Sequence, residues 1–94
     1  LKITGVLLLE DVVEKLLLKH KVDKREVIEV LQNRPSFRFV EKGHHKGENV
    51  YAALGQAESG RYLVVYFIHK KTNQALILSA RDMTTSERRK YEQK

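Results

Sequence analysis

The stretch "LILSARDMTTSERRKYEQK", residues 76–94, gathers Arg81, Glu87, Arg88, Arg89 and Tyr91 where an apolar run gives way to charge. Arg61 opens the run "RYLVVYFIH" and Arg81 closes "ALILSAR". If these runs are antiparallel neighbours, the start of one lies beside the end of the other, and both guanidinium groups reach one edge of a sheet. A planar guanidinium suits the oxygens of a phosphate; equally, arginines at strand ends can simply reach into water. His20 ends a helical run, directly after Lys19. Its imidazole type titrates near neutrality and can carry a proton, although a histidine at a helix C-terminus is also favoured by the helix dipole. Glu87 and Tyr91 are four residues apart and share a face if their segment is helical.

The elements that must position these groups fall into two halves by periodicity. Leu9, Val12, Val13, Leu16 and Leu17 recur at helical spacing up to about His20. A second helix follows in "VDKREVIEVLQNRP". Asp23 and Glu26 form a capping box there, Val22 and Val27 a hydrophobic staple, and Pro35 sets the stop near Asn33. After Pro35 the period drops to two. "SFRFVE", "ENVYAALG", "RYLVVYFIH" and "ALILSAR" read as four strands joined by turn-forming segments. Thr84 with Glu87 caps a last short helix, which needs something to pack on because it is too brief to stand alone. The expected architecture is α+β: two N-terminal helices packed on a four-stranded antiparallel meander sheet, then a short C-terminal helix, all in one domain spanning 1–94.

Composition limits the function classes. A chain of 94 residues with a 41% hydrophobic fraction supports a modest core. The formal charge is +6, spread over both halves, which favours a polyanionic or acidic partner. No apolar run is long enough to cross a membrane, and Glu10 and Asp11 interrupt "VLLLEDVV", so it does not read as a signal peptide. The absence of cysteine removes disulfides and thiolate zinc sites and fits a cytoplasmic protein. His44 and His45 sit in a Gly-flanked loop where neighbouring side chains point apart and no carboxylate pattern supports a site, so neither a metal site nor a cofactor is expected. There is no nucleophile elbow and no phosphate-binding glycine loop.

"KHKVDKREVIEVL", "KGENVYAALGQ", "GRYLVVYF" and "ILSARDMTTSERRKYE" together resemble the BrnT family of toxins from type II toxin–antitoxin pairs, over about residues 8–92. The family pattern runs roughly K-H-G-V, G-E-x-R-Y-x-A-x-G, G-R-x-L-x-V-x-Y and S-A-R-x-x-T-x-x-E-R-x-x-Y-E. Its matches here are Lys19, His20, Glu48, Tyr51, Arg61, Arg81, Glu87, Arg88 and Tyr91. Departures concentrate in the first helix. Leu8 and Leu9 replace a tryptophan–aspartate pair, Val12 and Leu16 replace a lysine and an asparagine, Lys21 stands for a glycine, and Val50 for an arginine.

The resemblance implies a RelE-like ribonuclease that cleaves RNA without a metal. Such a cut needs a base for the ribose 2′-hydroxyl, cations for the phosphate and an acid for the leaving oxygen. His20, Glu87 and Tyr91 are the candidate proton carriers, and Arg61 and Arg81 the candidate charge holders. Lys19, Arg88 and Arg89 are candidate RNA contacts. Structural readings stand beside these: a capping box for Glu87, packing for Tyr91. The implied partners are RNA and an acidic antitoxin, with DNA met only through the antitoxin complex. The alternative is a non-catalytic interaction or nucleic-acid-binding module of the same fold. The first two helices imitate a helix-turn-helix, but acidic Glu26 and Glu29 on the second argue against base reading.

Overall fold

The computed structural model describes residues 1–93. Its elements in chain order are β1 (Gly5–Leu7), α1 (Glu10–His20), α2 (Lys24–Gln32), β2 (Ser36–Glu41), β3 (Val50–Gln56), β4 (Tyr62–His69), β5 (Gln74–Asp82) and α3 (Thr85–Glu92). The architecture is α+β, and the four expected strands and three helices form. The sheet nevertheless differs from a four-stranded antiparallel meander. It has five strands in the order β1-β5-β4-β3-β2. β1 pairs parallel to β5, with Val6 opposite Ala75, so the sheet is mixed. A strand of three residues is too short to display a two-residue period, which is why this one is hidden in the leucine run before α1.

The sheet has two differently covered faces, because residues opposite one another in a ladder point the same way. On one face Ala53, Leu63, Val65, Phe67 and Ile77 meet Leu16 of α1 and Val27 and Val30 of α2 in the main core. On the other, Ala52, Leu54 and Val64 are covered by Tyr66, Met83 and Tyr91, so α3 does pack on the sheet. Gly55 is required by the close approach of α2. A Cβ there would stand 3.0 Å from Val30 Cγ1 and 3.4 Å from the Val30 carbonyl oxygen.

Local chemistry fixes the helix ends. Asp23 and Glu26 form the capping box at the start of α2, and the stapling residues Val22 and Val27 are fully buried. The end of α1 closes in a left-handed cap motif: the N–H of Lys21 donates to the Leu17 carbonyl and that of Val22 to Leu16, both at 3.1 Å. Lys21 occupies the left-handed position of that motif, at φ 53°. Glycine suits such a position best, which gives a physical reason for the glycine that Lys21 replaces. Among the described residues no helix is long and apolar enough to cross a membrane.

Candidate active site at one end of the sheet

Arg61 and Arg81 do lie at the same end of the β4–β5 pair, where Leu63 faces Asp82 and Val64 faces Arg81. They do not share a surface. Arg61 turns toward α1 and α2, and Arg81 toward α3. The alternation of adjacent strand residues accounts for the split: Asp82 shares the face of Leu63, Arg81 that of Val64.

Arg61 is engaged through its whole fork. Nε donates to Asp82 Oδ1 at 2.7 Å and Nη2 to Oδ2 at 3.1 Å. Nη1 donates to the Lys21 carbonyl at 2.7 Å and to Glu26 at 3.2 Å, and Nη2 to the His20 carbonyl at 2.9 Å. A guanidinium has five N–H donors, so none is left over for a phosphate. The arginine ties the open carbonyls at the end of α1 to the start of α2 and the end of β5. Its hydrogen bond to Asp82 holds that carboxyl below its ordinary range.

Arg81 makes a second, separate cluster. Nη1 and Nη2 donate to the two carboxylate oxygens of Glu87 at 2.7 and 2.9 Å. Nη2 also donates to the Tyr66 phenol oxygen at 2.9 Å, and Nη1 to the Asp82 carbonyl at 3.1 Å. The guanidinium carbon stands 5.6 Å from the Tyr66 ring centre. Hydrogen bonding to Arg81 holds the Glu87 carboxyl down at about 2. Glu87 accepts in addition from the Thr84 N–H at 2.8 Å, closing the capping box of α3. The capping reading of Glu87 and its proximity to Arg81 are therefore both present in one carboxylate.

Tyr91 packs edge-on against Tyr62, with ring centres 5.9 Å apart. Arg88 lies over the Tyr62 ring at 4.1 Å and pairs with Glu92 at 3.6 Å. Arg89 and Lys90 are exposed, as three consecutive basic residues on a helix must be in part. His20 ends α1 on the opposite side of the sheet from Arg81, half-buried. Lys19 is exposed. The sequence-predicted set thus divides: Arg81, Glu87, Arg88 and Tyr91 gather under and on α3, while His20 and Arg61 belong to the α1 side. Asp82 links the two, with its carboxylate on Arg61 and its carbonyl on Arg81.

Glu48 and Tyr51 stand at the other end of the strands. Glu48 pairs with Lys70 at 2.9 Å and accepts from the Lys71 N–H at 3.1 Å, and its carboxyl is lowered by the Lys70 contact. Tyr51 packs between Phe39, Phe67 and His69. His44 and His45 are exposed in the loop before β3.

Sequence reasoning did not single out Tyr66, Asp82 or Arg38. Tyr66 sat inside an apolar run, yet it is opposite Ala52 and Ser79 in the ladder, and Ala52 is opposite Arg38. Arg38 and Tyr66 therefore point from the same face as Arg81, two strands apart. Strict alternation along "SFRFVE" and "YLVVYFIH" carried that signal.

The chain is a small α+β domain with a five-stranded mixed sheet and an arginine–carboxylate–phenol cluster where β5 meets α3. Residues 11–87 match the family model described as "Ribonuclease toxin, BrnT, of type II toxin-antitoxin system", and the chain belongs to that family. That description carries an RNA substrate and an antitoxin protein partner with it. A comparison with curated proteins returns no match.

Proposed function

We propose that this BrnT-family chain cleaves RNA laid across the Arg81 end of the sheet, by acid–base chemistry. The supporting observation is the Glu87–Arg81–Tyr66 relay. Glu87, with both oxygens engaged and a carboxyl near 2, is too weak a base to accept a proton from a hydroxyl, and its part is to aim Arg81. Arg81 in turn donates to the Tyr66 oxygen, which leaves the phenol hydrogen for an outside acceptor. Arg81 retains Nε–H toward a phosphate.

In the proposed reaction the ribose 2′-oxygen attacks phosphorus, its proton passes to a base, and the 5′-oxygen leaves with a proton. The products are a 2′,3′-cyclic phosphate and a 5′-hydroxyl end. Tyr66 is the proposed proton donor to the leaving oxygen. His20 ends α1 on the opposite side of the sheet from Tyr66 and does not share a phosphate with it, so the 2′ proton is proposed to pass to solvent water. Arg61 holds the two sides of that end together instead of contacting the phosphate. Tyr91 seats α3 on the sheet. Arg38, Arg88 and Arg89 hold flanking phosphates, while Lys19, on α1, lies off this path.

The proposed antitoxin contact is an acidic segment over the outer cations of α3, with DNA met only through that complex. Titration calorimetry across a salt series tests it: affinity that falls with salt and with Arg89→Glu supports it, and salt-independent affinity contradicts it. A second reading, RNA binding without cleavage, has one observation in its favour: both Arg61 and Arg81 already carry carboxylate partners. Incubation of single-stranded RNA with excess protein in EDTA separates the two. Fragments ending in cyclic phosphate support the enzyme, and intact bound RNA supports the binding module.

A further inference from the structure

Leu18 is the most exposed large apolar side chain among the described residues, at 81%, and its neighbour Leu17 is 55% exposed. Neither serves the core. Leu16, two residues before Leu18 and about 200° around the helix, is the fully buried residue of α1. The other exposed positions of the helix are polar: Glu10, Asp11, Glu14, Lys15 and Lys19. An adjacent leucine pair on the outer side of an otherwise polar helix leaves apolar area in water with no intramolecular return.

We propose that the outward face of α1, centred on Leu17 and Leu18, pairs with the same face of a second copy across a two-fold axis. The charges flanking the leucines select this occupant. Glu14 lies one turn before Leu18, and exposed Lys21 lies three residues after it. With the leucines on the axis the two helices run antiparallel, so each Glu14 meets the Lys21 of the other copy. A parallel arrangement would set Glu14 against Glu14 instead. Such self-complementarity is the requirement of an isologous contact.

One helix face buries less than the roughly 1,200 Å² of a standard stable interface, so the association is weak and concentration-dependent. It is also independent of the proposed RNA site, because α1 covers the opposite side of the sheet from Arg81 and Tyr66. The paired molecule presents both of those faces outward.

Sedimentation velocity of the full chain from about 10 μM to about 1 mM, the range of weak complexes, tests the proposal. The wild type should shift from monomer toward dimer with concentration. Leu18→Glu should remain monomeric with an unchanged melting temperature and RNA turnover. Glu14→Lys should weaken the dimer at least several-fold, and adding Lys21→Glu should restore it. A wild type that stays monomeric throughout overturns the proposal, as does a dimer that survives Leu18→Glu. If the wild type is monomeric and Leu18→Glu instead loses affinity for the antitoxin, the surface belongs to that partner and self-pairing is refuted.

Discussion

Arg81 and Glu87 meet fork to fork across the corner between β5 and α3, with both pairs of atoms within 2.9 Å. The same carboxylate caps α3 through the Thr84 N–H. The start of the last helix and the direction of the arginine are thus one unit. A side chain that a capping box alone would explain also sets where the guanidinium, and through it the Tyr66 phenol, can stand.

That unit has a pH signature. The Glu87 carboxyl lies at about 2, below its ordinary 4.5, because Arg81 bonds its charged form. A depressed carboxyl contributes stability that is fully present above the unfolded value and is lost as pH falls toward the folded one. The contribution is on the order of 3 kcal/mol from the size of the shift. Chemical denaturation from pH 6 down to pH 2 should therefore show a steeper fall for the wild type than for Glu87→Gln. Parallel curves would show that the pair contributes nothing to folding.

Arg61 is expected to behave as a structural clamp. Arg61→Ala strands two helix-end carbonyls and the carboxylates of Asp82 and Glu26, and should cost about 2–4 kcal/mol. Arg61→Lys should recover only part of this, since an ammonium lacks the planar fork. Arg89→Ala, on the outer side of α3, should stay within about 0.5 kcal/mol. Urea unfolding of the three variants makes the comparison, and equal midpoints for all three would contradict the clamp.

Lys21 stores strain. At φ 53° it holds a conformation that glycine adopts freely, while the Arg61 hydrogen bond to its carbonyl keeps the turn closed. Lys21→Gly should raise stability by about 0.5–1 kcal/mol, since relief of the left-handed strain exceeds the entropy glycine adds to the unfolded chain. A lower melting temperature for this variant would show the lysine stem to be packing usefully.

Much of this fold is legible in the sequence where local rules act alone. The Asp23–Glu26 and Thr84–Glu87 boxes, the Val22–Val27 staple and the four long strands are set by residues close together in the chain. β1 was not legible, because its pairing to Gln74–Leu76 is long-range and parallel. For the site, the arginines could be placed at one sheet end but not on their faces. That depends on the irregular register between Tyr66 and Phe67 of β4, which lies between Arg81 and the start of β5. The carboxylate partners of Arg61 come from residues 26 and 82, too distant in the chain for spacing to reveal.

Arg38 offers a separate check on the proposed RNA path. It is exposed on β2, on the Arg81 side of the sheet. Arg38→Ala should weaken binding of single-stranded RNA and reduce the salt slope by roughly the 0.7 expected for one lost phosphate contact. Fluorescence anisotropy at several salt concentrations reads both quantities, and an unchanged slope would move the RNA off this face.

The most direct test of the relay is the single-turnover cleavage rate of single-stranded RNA in EDTA, wild type against Tyr66→Phe. Only one oxygen is removed, from a half-buried side chain whose ring remains to pack. Loss of a proton donor of this kind costs about 10²–10⁴-fold in rate. The expected result is cleavage by the wild type and a fall of about 100-fold or more in the variant, with RNA affinity and melting temperature nearly unchanged. Equal rates for the two proteins would contradict the assignment of Tyr66 as the proton donor and move the chemistry away from the Glu87–Arg81–Tyr66 cluster.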